Sequence, residues 1–325
     1  MQLARALPIL DVAPGLSKRP FLSIAVPTPI EPMPGFEGRV FVKRDDLVSP
    51  LYGGNKVRRW EWLLGEALDR GAKTLLTVGG TGSTQVTSLS AHGRAAGLAV
   101  TAILFDQPDT EFVREALALD ERFGAKLIRG GGYASTAYAA LKAYRSAEKP
   151  YFIAPGASGP VANLAYVDAM LEVGRQVDAG ELPRPDRIVT ACGSGGTTVG
   201  LAIGAAMLGY ETEVVGVRIT DLIASNPITL RAFAMSTLRV LRAAGYPAGK
   251  LYPKLRMDHR FIGQGYGFST PEAEAGARVY RDAFGVAGEV TYSGKALAAL
   301  AAIAREHPQE TILYWNTLSS TGRQI

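Results

Sequence analysis

Short β-rich runs alternate with helical stretches along nearly the whole chain, and no other feature of the sequence constrains the fold as strongly. The runs fall at 39–43 (RVFVK), 74–78 (TLLTV), 98–105 (LAVTAILF), 125–128 (AKLI), 151–154 (YFIA), 187–191 (RIVTA), 213–219 (EVVGVRI) and 311–315 (TILYW). Between them, 55–70 carries Val57, Trp60, Leu64, Ala67 and Leu68 at helical spacing, and Gly71 stands where a C-cap belongs. Asp109-Thr110-Glu111 ahead of Phe112 and Val113 reads as a further helix start. Such alternation predicts an α/β fold with open, largely parallel, twisted sheets flanked by helices on both faces. At about 150 residues per domain, 325 residues correspond to roughly two domains. No linker separates them, so an intimate interface is expected, with one domain inserted in the other. Residues 221–270, with Pro227, Pro247 and Pro253, break the rhythm and read as irregular.

The composition removes several kinds of function. A chain with 47% hydrophobic and 20% charged residues folds without help, and one of this length needs no disulfide or metal staple. A single cysteine, Cys192, leaves no internal disulfide and no cysteine-cluster zinc site. His92, His259 and His307 leave little for a histidine metal site or a Ser-His-Asp triad. The net charge of +5 comes from scattered basic residues, so no nucleic-acid stripe is expected. The N-terminal apolar stretch is cut short by Asp11, which argues against a secretory signal. No run approaches the ~18 apolar residues of a membrane span. A cytoplasmic protein is the expectation.

Glycine, at 37 residues, exceeds the usual ~7% and gathers in loops that follow strands. The richest is Gly193-Ser194-Gly195-Gly196-Thr197, after 187–191 and before a helical run at 197–208. Glycines open the backbone to an anion, the N–H groups converge, and the helix end adds partial positive charge. This reads as a phosphate cradle; a tight strand–helix turn without ligand is the plain alternative. A dinucleotide site, with Asp221 on the ribose, competes for the same loop, but the spacing does not fit G-x-G-x-x-G. Residues 288–295 (GEVTYSGK) approach a P-loop and fail on spacing and on Ala296, where a hydroxyl is needed. A second loop, 77–85, ends in Ser83, Thr84 and Gln85; it is either an N-cap or an anion site suited to a substrate carboxylate. The third element is Gly53-Gly54-Asn55-Lys56 at the start of a helix. Its lysine is either a surface charge or, with its pKa lowered at the helix end, a Schiff-base amine. Two anion loops and such a lysine together point to pyridoxal phosphate and an amino acid.

With Val26-Pro27-Thr28-Pro29-Ile30, Val42-Lys43-Arg44-Asp45-Asp46, Arg58, Arg59, Gly263-Gln264-Gly265-Tyr266-Gly267 and Tyr292-Ser293-Gly294-Lys295, these motifs run in order from 26 to 295. In this the chain resembles pyridoxal-phosphate enzymes of the tryptophan-synthase-β fold type, in the branch of D-cysteine desulfhydrase and 1-aminocyclopropane-1-carboxylate deaminase. The resemblance implies a larger domain from 1–52 and 163–325, a smaller inserted domain from 53–162, and an active site between them. It implies that Lys56 forms the aldimine and that Gly193, Ser194, Gly195, Gly196 and Thr197 hold the phosphate. Ser83, with Thr84 and Gln85, would meet the substrate carboxylate; Tyr266 and Tyr292 would be the active-site tyrosines; Ser293 would face the pyridine nitrogen. Thr84 replaces the family's usual asparagine, and Gly82 replaces a polar residue. Ser293 stands where the cyclopropane deaminases have an acid. A serine there implies a weaker electron sink, suited to β-elimination from D-cysteine or a similar substrate, with a homodimer as the expected assembly. Ring-opening deamination, β-replacement and racemisation remain within the same chemistry. A nicotinamide-dependent dehydrogenase and a non-catalytic binder of pyridoxal phosphate or an amino acid lie outside it. Cys192 and His92 read as structural, 297–304 as a packed helix face, and Lys295 as either a solvated charge or an anion-facing group.

Overall fold

A computed structural model describes residues 7–16, 24–222, 225–247, 249–286 and 289–322. Gly288, the first glycine of the P-loop-like stretch, and half of the N-terminal segment weighed as a signal lie outside them. The strands are β1 (Ile30–Pro32), β2 (Val40–Lys43), β3 (Thr74–Gly80), β4 (Ala99–Phe105), β5 (Lys126–Gly131), β6 (Pro150–Ile153), β7 (Arg187–Cys192), β8 (Glu213–Arg218), β9 (Leu255–Asp258) and β10 (Ile312–Trp315). The helices are α1 (Pro8–Val12), α2 (Val57–Asp69), α3 (Thr84–Ala95), α4 (Glu111–Arg122), α5 (Tyr133–Ser146), α6 (Pro160–Asp178), α7 (Gly196–Met207), α8 (Pro227–Ala243), α9 (Pro271–Phe284) and α10 (Ser293–Glu306).

They build two sheets, one six-stranded in the order β1-β2-β10-β7-β8-β9 and one four-stranded in the order β5-β4-β3-β6. Every pairing is parallel except β1 with β2. The α/β architecture of two mostly parallel sheets flanked by helices is therefore as the alternation predicts. Residues 221–270 are a correction. Pro227 is not a breaker but the first residue of α8, where its missing N–H is harmless. Asn226 caps that helix by accepting from the Ile228 and Thr229 backbone N–H groups at 2.9 and 3.0 Å. β9, at the edge of the large sheet, alternates Leu255, Arg256, Met257 and Asp258 but is too short for that pattern to mark a strand.

The main core lies where α6 and α7 cover the six-stranded sheet, with Tyr166, Met170, Leu201, Ile203 and Trp315 at its centre. α7 has no polar face because it has no solvated side. Gly200 and Gly204, one turn apart, let it approach α6 backbone to backbone. A Cβ on Gly200 would sit 2.6 Å from the Asn163 carbonyl oxygen, and one on Gly204 2.9 Å from that of Val167. A separate core, with Trp60, Leu64, Leu75, Leu89 and Val100, joins α2 to the four-stranded sheet. α2 thus meets both halves of the molecule.

Candidate active site

α2 starts from a turn held on all sides. The Gly53 N–H donates to Ser319 Oγ at 2.7 Å, Gly54 to the Asp45 carbonyl at 2.9 Å, and Asn55 to the Thr317 carbonyl at 3.1 Å. Tyr166 donates its hydroxyl to the Asn55 carbonyl at 2.8 Å. Gly54 has φ +86°, a conformation that side chains resist. Beneath the turn lies a buried ionic network. Arg58 bridges Asp45 and Glu172, each at 2.9 Å, and Lys43 reaches Glu172 at 2.7 Å. Arg58 and Lys43 hold the Glu172 carboxyl far below the usual carboxylate range despite its burial. Each charge in the network has an opposite partner, which makes its burial tolerable.

This frame presents Lys56 at the N-cap position of α2, with Nζ donating to Asn55 Oδ1 at 3.2 Å. The amine titrates well below an ordinary lysine. Desolvation is the main cause and the Arg59 charge adds to it. Burial and a neighbouring cation thus lower this amine, where the sequence alone points to the helix end. Arg59, one turn on, was noted only as part of a motif. Its Nη2 donates to Thr197 Oγ1 at 2.7 Å, and its Nη1 to the Gly156 and Ala157 carbonyls at 2.5 and 3.0 Å. Burial lowers its pKa to about 10, and among the described residues no carboxylate faces it.

Arg59 thereby brings a cation to the loop between β7 and α7. In that loop Gly195 takes φ +89°, and a Cβ there would lie 2.1 Å from Leu230. Ser194 Oγ meets Ser158 Oγ at 2.6 Å, while Asn55 Nδ2 donates to Thr197 Oγ1 at 3.2 Å. The other loop, between β3 and α3, places Ser83 at the N-cap position, yet the hydroxyl makes no capping bond. Gln85 is tied down instead, donating through Nε2 to Thr77 Oγ1 at 2.7 Å and to the Ala154 carbonyl at 3.2 Å.

Opposite stand Tyr266 and Tyr292, hydroxyl to hydroxyl at 2.7 Å, with their rings edge to face at 5.8 Å. Burial raises both phenols, Tyr266 to about 12. Lys295 is neither solvated nor anion-facing. Its buried Nζ donates to the Ile262 and Gly265 carbonyls, both at 2.8 Å, and so ties down the loop that carries Tyr266.

One cavity of about 700 Å³ joins these groups; Lys56, Ser83, Thr84, Gln85, Gly193, Ser194, Gly195, Thr197, Tyr266 and Tyr292 all line it. Gly196 and Ser293 do not. Gly196 packs behind the loop, where a Cβ would meet Asn163 Oδ1 at 2.4 Å. Ser293 donates to the Glu289 carbonyl at 2.7 Å and accepts from the Glu289 N–H at 3.1 Å, so it engages the segment that leads into α10. Sequence reasoning missed Thr317, Gly156, Phe105, Tyr133 and Phe233, which line the same cavity. Thr317 lies just beyond β10, where its position after a parallel strand was the available signal. His92 meets the Tyr52 carbonyl at 2.9 Å and Cys192 meets Ser225 at 3.3 Å, both buried.

Residues 22–317 match the family described as pyridoxal-phosphate dependent enzyme. The chain is 31% identical over 306 residues to nocardicin C-9′ epimerase of Nocardia uniformis subsp. tsuyamanensis, with 91% of each chain covered. It is 32% identical over 311 residues to a putative 1-aminocyclopropane-1-carboxylate deaminase of Pyrococcus horikoshii, covering 91% of this chain and 90% of that one. Among solved structures, an ACC deaminase homologue superposes with a TM-score of 0.82 at 26% identity, covering 98% of this chain and 96% of the other. O-ureido-L-serine synthase, at 19% identity and a TM-score of 0.62 over 97% and 91% of the two chains, shares the fold. The donor set fits the cofactor of that family. The cavity offers an amine of lowered pKa for an aldehyde carbon, and a glycine cradle backed by an uncompensated guanidinium for a phosphate.

Proposed function

The chain belongs to the pyridoxal-phosphate-dependent enzymes, and from that premise we propose that it catalyses α,β-elimination on a β-substituted amino acid. Water and the substrate give pyruvate, ammonia and the protonated leaving group. The bound cofactor supplies an electron sink that makes the α-proton of an amino acid removable. The protein supplies the rest. The loop between 193 and 197, with Arg59, holds the phosphate. Ser83, free of capping duty, hydrogen-bonds the substrate carboxylate. The Lys56 amine, whose pKa burial and the Arg59 charge lower, takes the α-proton.

The observation that carries the reading is the tyrosine pair. Two phenols in contact, both raised by burial, stay protonated at neutral pH, so one of them can donate to a departing β-group. Ring-opening deamination of a cyclopropane amino acid is the second reading, favoured by the names of the Pyrococcus relative and the ACC deaminase homologue. It needs the same lysine and a proton for the opened carbon. The Nocardia relative's name adds epimerisation, in which the proton returns to the α-carbon instead.

The test is a paired steady-state assay, following pyruvate from both hands of cysteine, cysteate and β-chloroalanine and α-ketobutyrate from 1-aminocyclopropane-1-carboxylate. Elimination predicts pyruvate from at least one β-substituted alanine at a kcat/KM above that for the cyclopropane substrate. The reverse order replaces it with ring-opening deamination. Borohydride treatment of the loaded enzyme is expected to fix the pyridoxyl group on the peptide containing Lys56; labelling of another lysine removes Lys56 from the proposal.

A further inference from the structure

The polar groups account for only part of the cavity. Ser83, Lys56 and the tyrosines serve the α-carbon, its carboxylate and the β-group, all of which a three-carbon amino acid possesses. The same cavity continues along the four-stranded sheet, where its wall changes character to Val78, Phe105, Tyr133, Ala137, Ala140 and Phe152. Tyr133, Ala137 and Ala140 fall at i, i+4 and i+7 of α5, so one helix face lines this annex. Tyr133 packs on Phe105 with ring centroids 5.2 Å apart, and the two alanines leave space beside them. Tyr133 and Phe152 nevertheless remain 71% and 45% exposed.

Apolar wall of this kind adds nothing to the binding of a thiol, sulfonate or chloride. It stabilises a ligand only by covering apolar surface of that ligand. We propose that the annex along α5 is a side-chain subsite, and that the substrate is an amino acid bearing an aromatic or branched apolar group beyond its β-position. The inference rests on the cofactor-bound reading of Lys56 and Ser83 given above and narrows its substrate class. Specificity then sits in the four-stranded half, on residues without reacting groups of their own.

The experiment uses the pyridoxal-phosphate-loaded enzyme with cysteine and S-benzylcysteine, each in both hands. Two readouts are taken: the change in cofactor absorbance on titration, which reports binding, and pyruvate release, which reports elimination. The benzyl compound of the preferred hand is expected to bind at least tenfold more tightly than the matching cysteine. Ala140→Trp, which fills the annex, is expected to reduce that preference at least tenfold. Phe152→Ser, at an exposed position that leaves folding intact, is expected to reduce it severalfold. Equal affinity for the two compounds, or a preference that both variants leave intact, overturns the subsite. Tight benzyl binding without pyruvate keeps the subsite and removes the elimination reading. Pyruvate from cysteine without any benzyl preference does the opposite.

Discussion

The two glycine-rich loops are written in nearly the same local language and do different work. Each leaves a parallel strand, passes through glycines and hydroxyls, and enters a helix. Around the loop after β7 the surroundings are rigid and charged: Gly195 is packed against Leu230, Thr197 is fixed by Arg59, and the ionic network of Lys43, Asp45, Arg58 and Glu172 lies behind. Around the loop after β3 the Ser83 hydroxyl has no capping partner. Behind that loop, against α3, sits Asp120, buried and without an ion partner among the described residues. A phosphate dianion calls for the first environment. A substrate carboxylate that must bind and leave calls for the second. Glycine spacing does not distinguish the two; the neighbours do.

The largest effect expected from breaking this division is on the network. Glu172→Gln strips Arg58 and Lys43 of a shared counter-charge and is expected to lower stability by about 3–5 kcal/mol, measured by urea unfolding. The sign with pH follows. Because the folded carboxyl titrates below the unfolded one, its stabilisation is present above the unfolded value and fades as pH falls through the folded one. Glu172→Gln is therefore expected to differ most from wild type near neutrality and to converge with it in acid. An unchanged acid limb would show that the network is not what acid breaks.

Next is the loop itself. Gly195→Asp places a charged side chain where open N–H groups are needed and is expected to weaken pyridoxal phosphate binding by a hundredfold or more. Each lost charge-assisted bond is worth about 1.5–3 kcal/mol. Ser83→Ala is the matched control in the other loop, with kcat/KM expected to fall about tenfold while cofactor affinity stays within twofold. Equal loss of cofactor binding in both variants would erase the distinction between the loops.

The smallest effect concerns Asp120, whose carboxyl burial raises from 3.8 to about 8. Between those values the folded state holds a proton that the unfolded state has lost, so stability declines as pH rises through that window. One proton allows at most ~1.4 kcal/mol per pH unit. Asp120→Asn is expected to flatten a fraction of that slope in thermal melts between pH 5 and 8, as roughly spans the window. An unaltered slope would place the titration elsewhere.

Much of the scaffold was legible because parallel strands are buried on both faces and read as apolar runs, as β3, β4, β7 and β10 do. α8 was not, since a proline marks a helix start or a break depending on its cap, and the Asn226 cap went unread. In the site, the glycines and Lys56 announced themselves through local spacing. Arg59 did not, because its role depends on the distant residues Thr197 and Gly156. Ser293 was placed by resemblance alone, and no spacing rule says which way a hydroxyl turns once the Glu289 backbone is within reach. The annex was invisible for another reason: alanines at 137 and 140 look like ordinary helix formers until the surface they leave open is seen.

The tether from Lys295 has a consequence for redesign. Tyr266 belongs to one stretch of sequence, but the cross-link that holds its loop begins almost thirty residues later, on α10. A loop of 262–267 transplanted from a relative therefore carries its phenol but not its mooring. Its phenol will point correctly only in a host that already has a lysine at the matching turn of that helix, so the heritable unit is the loop and the lysine together.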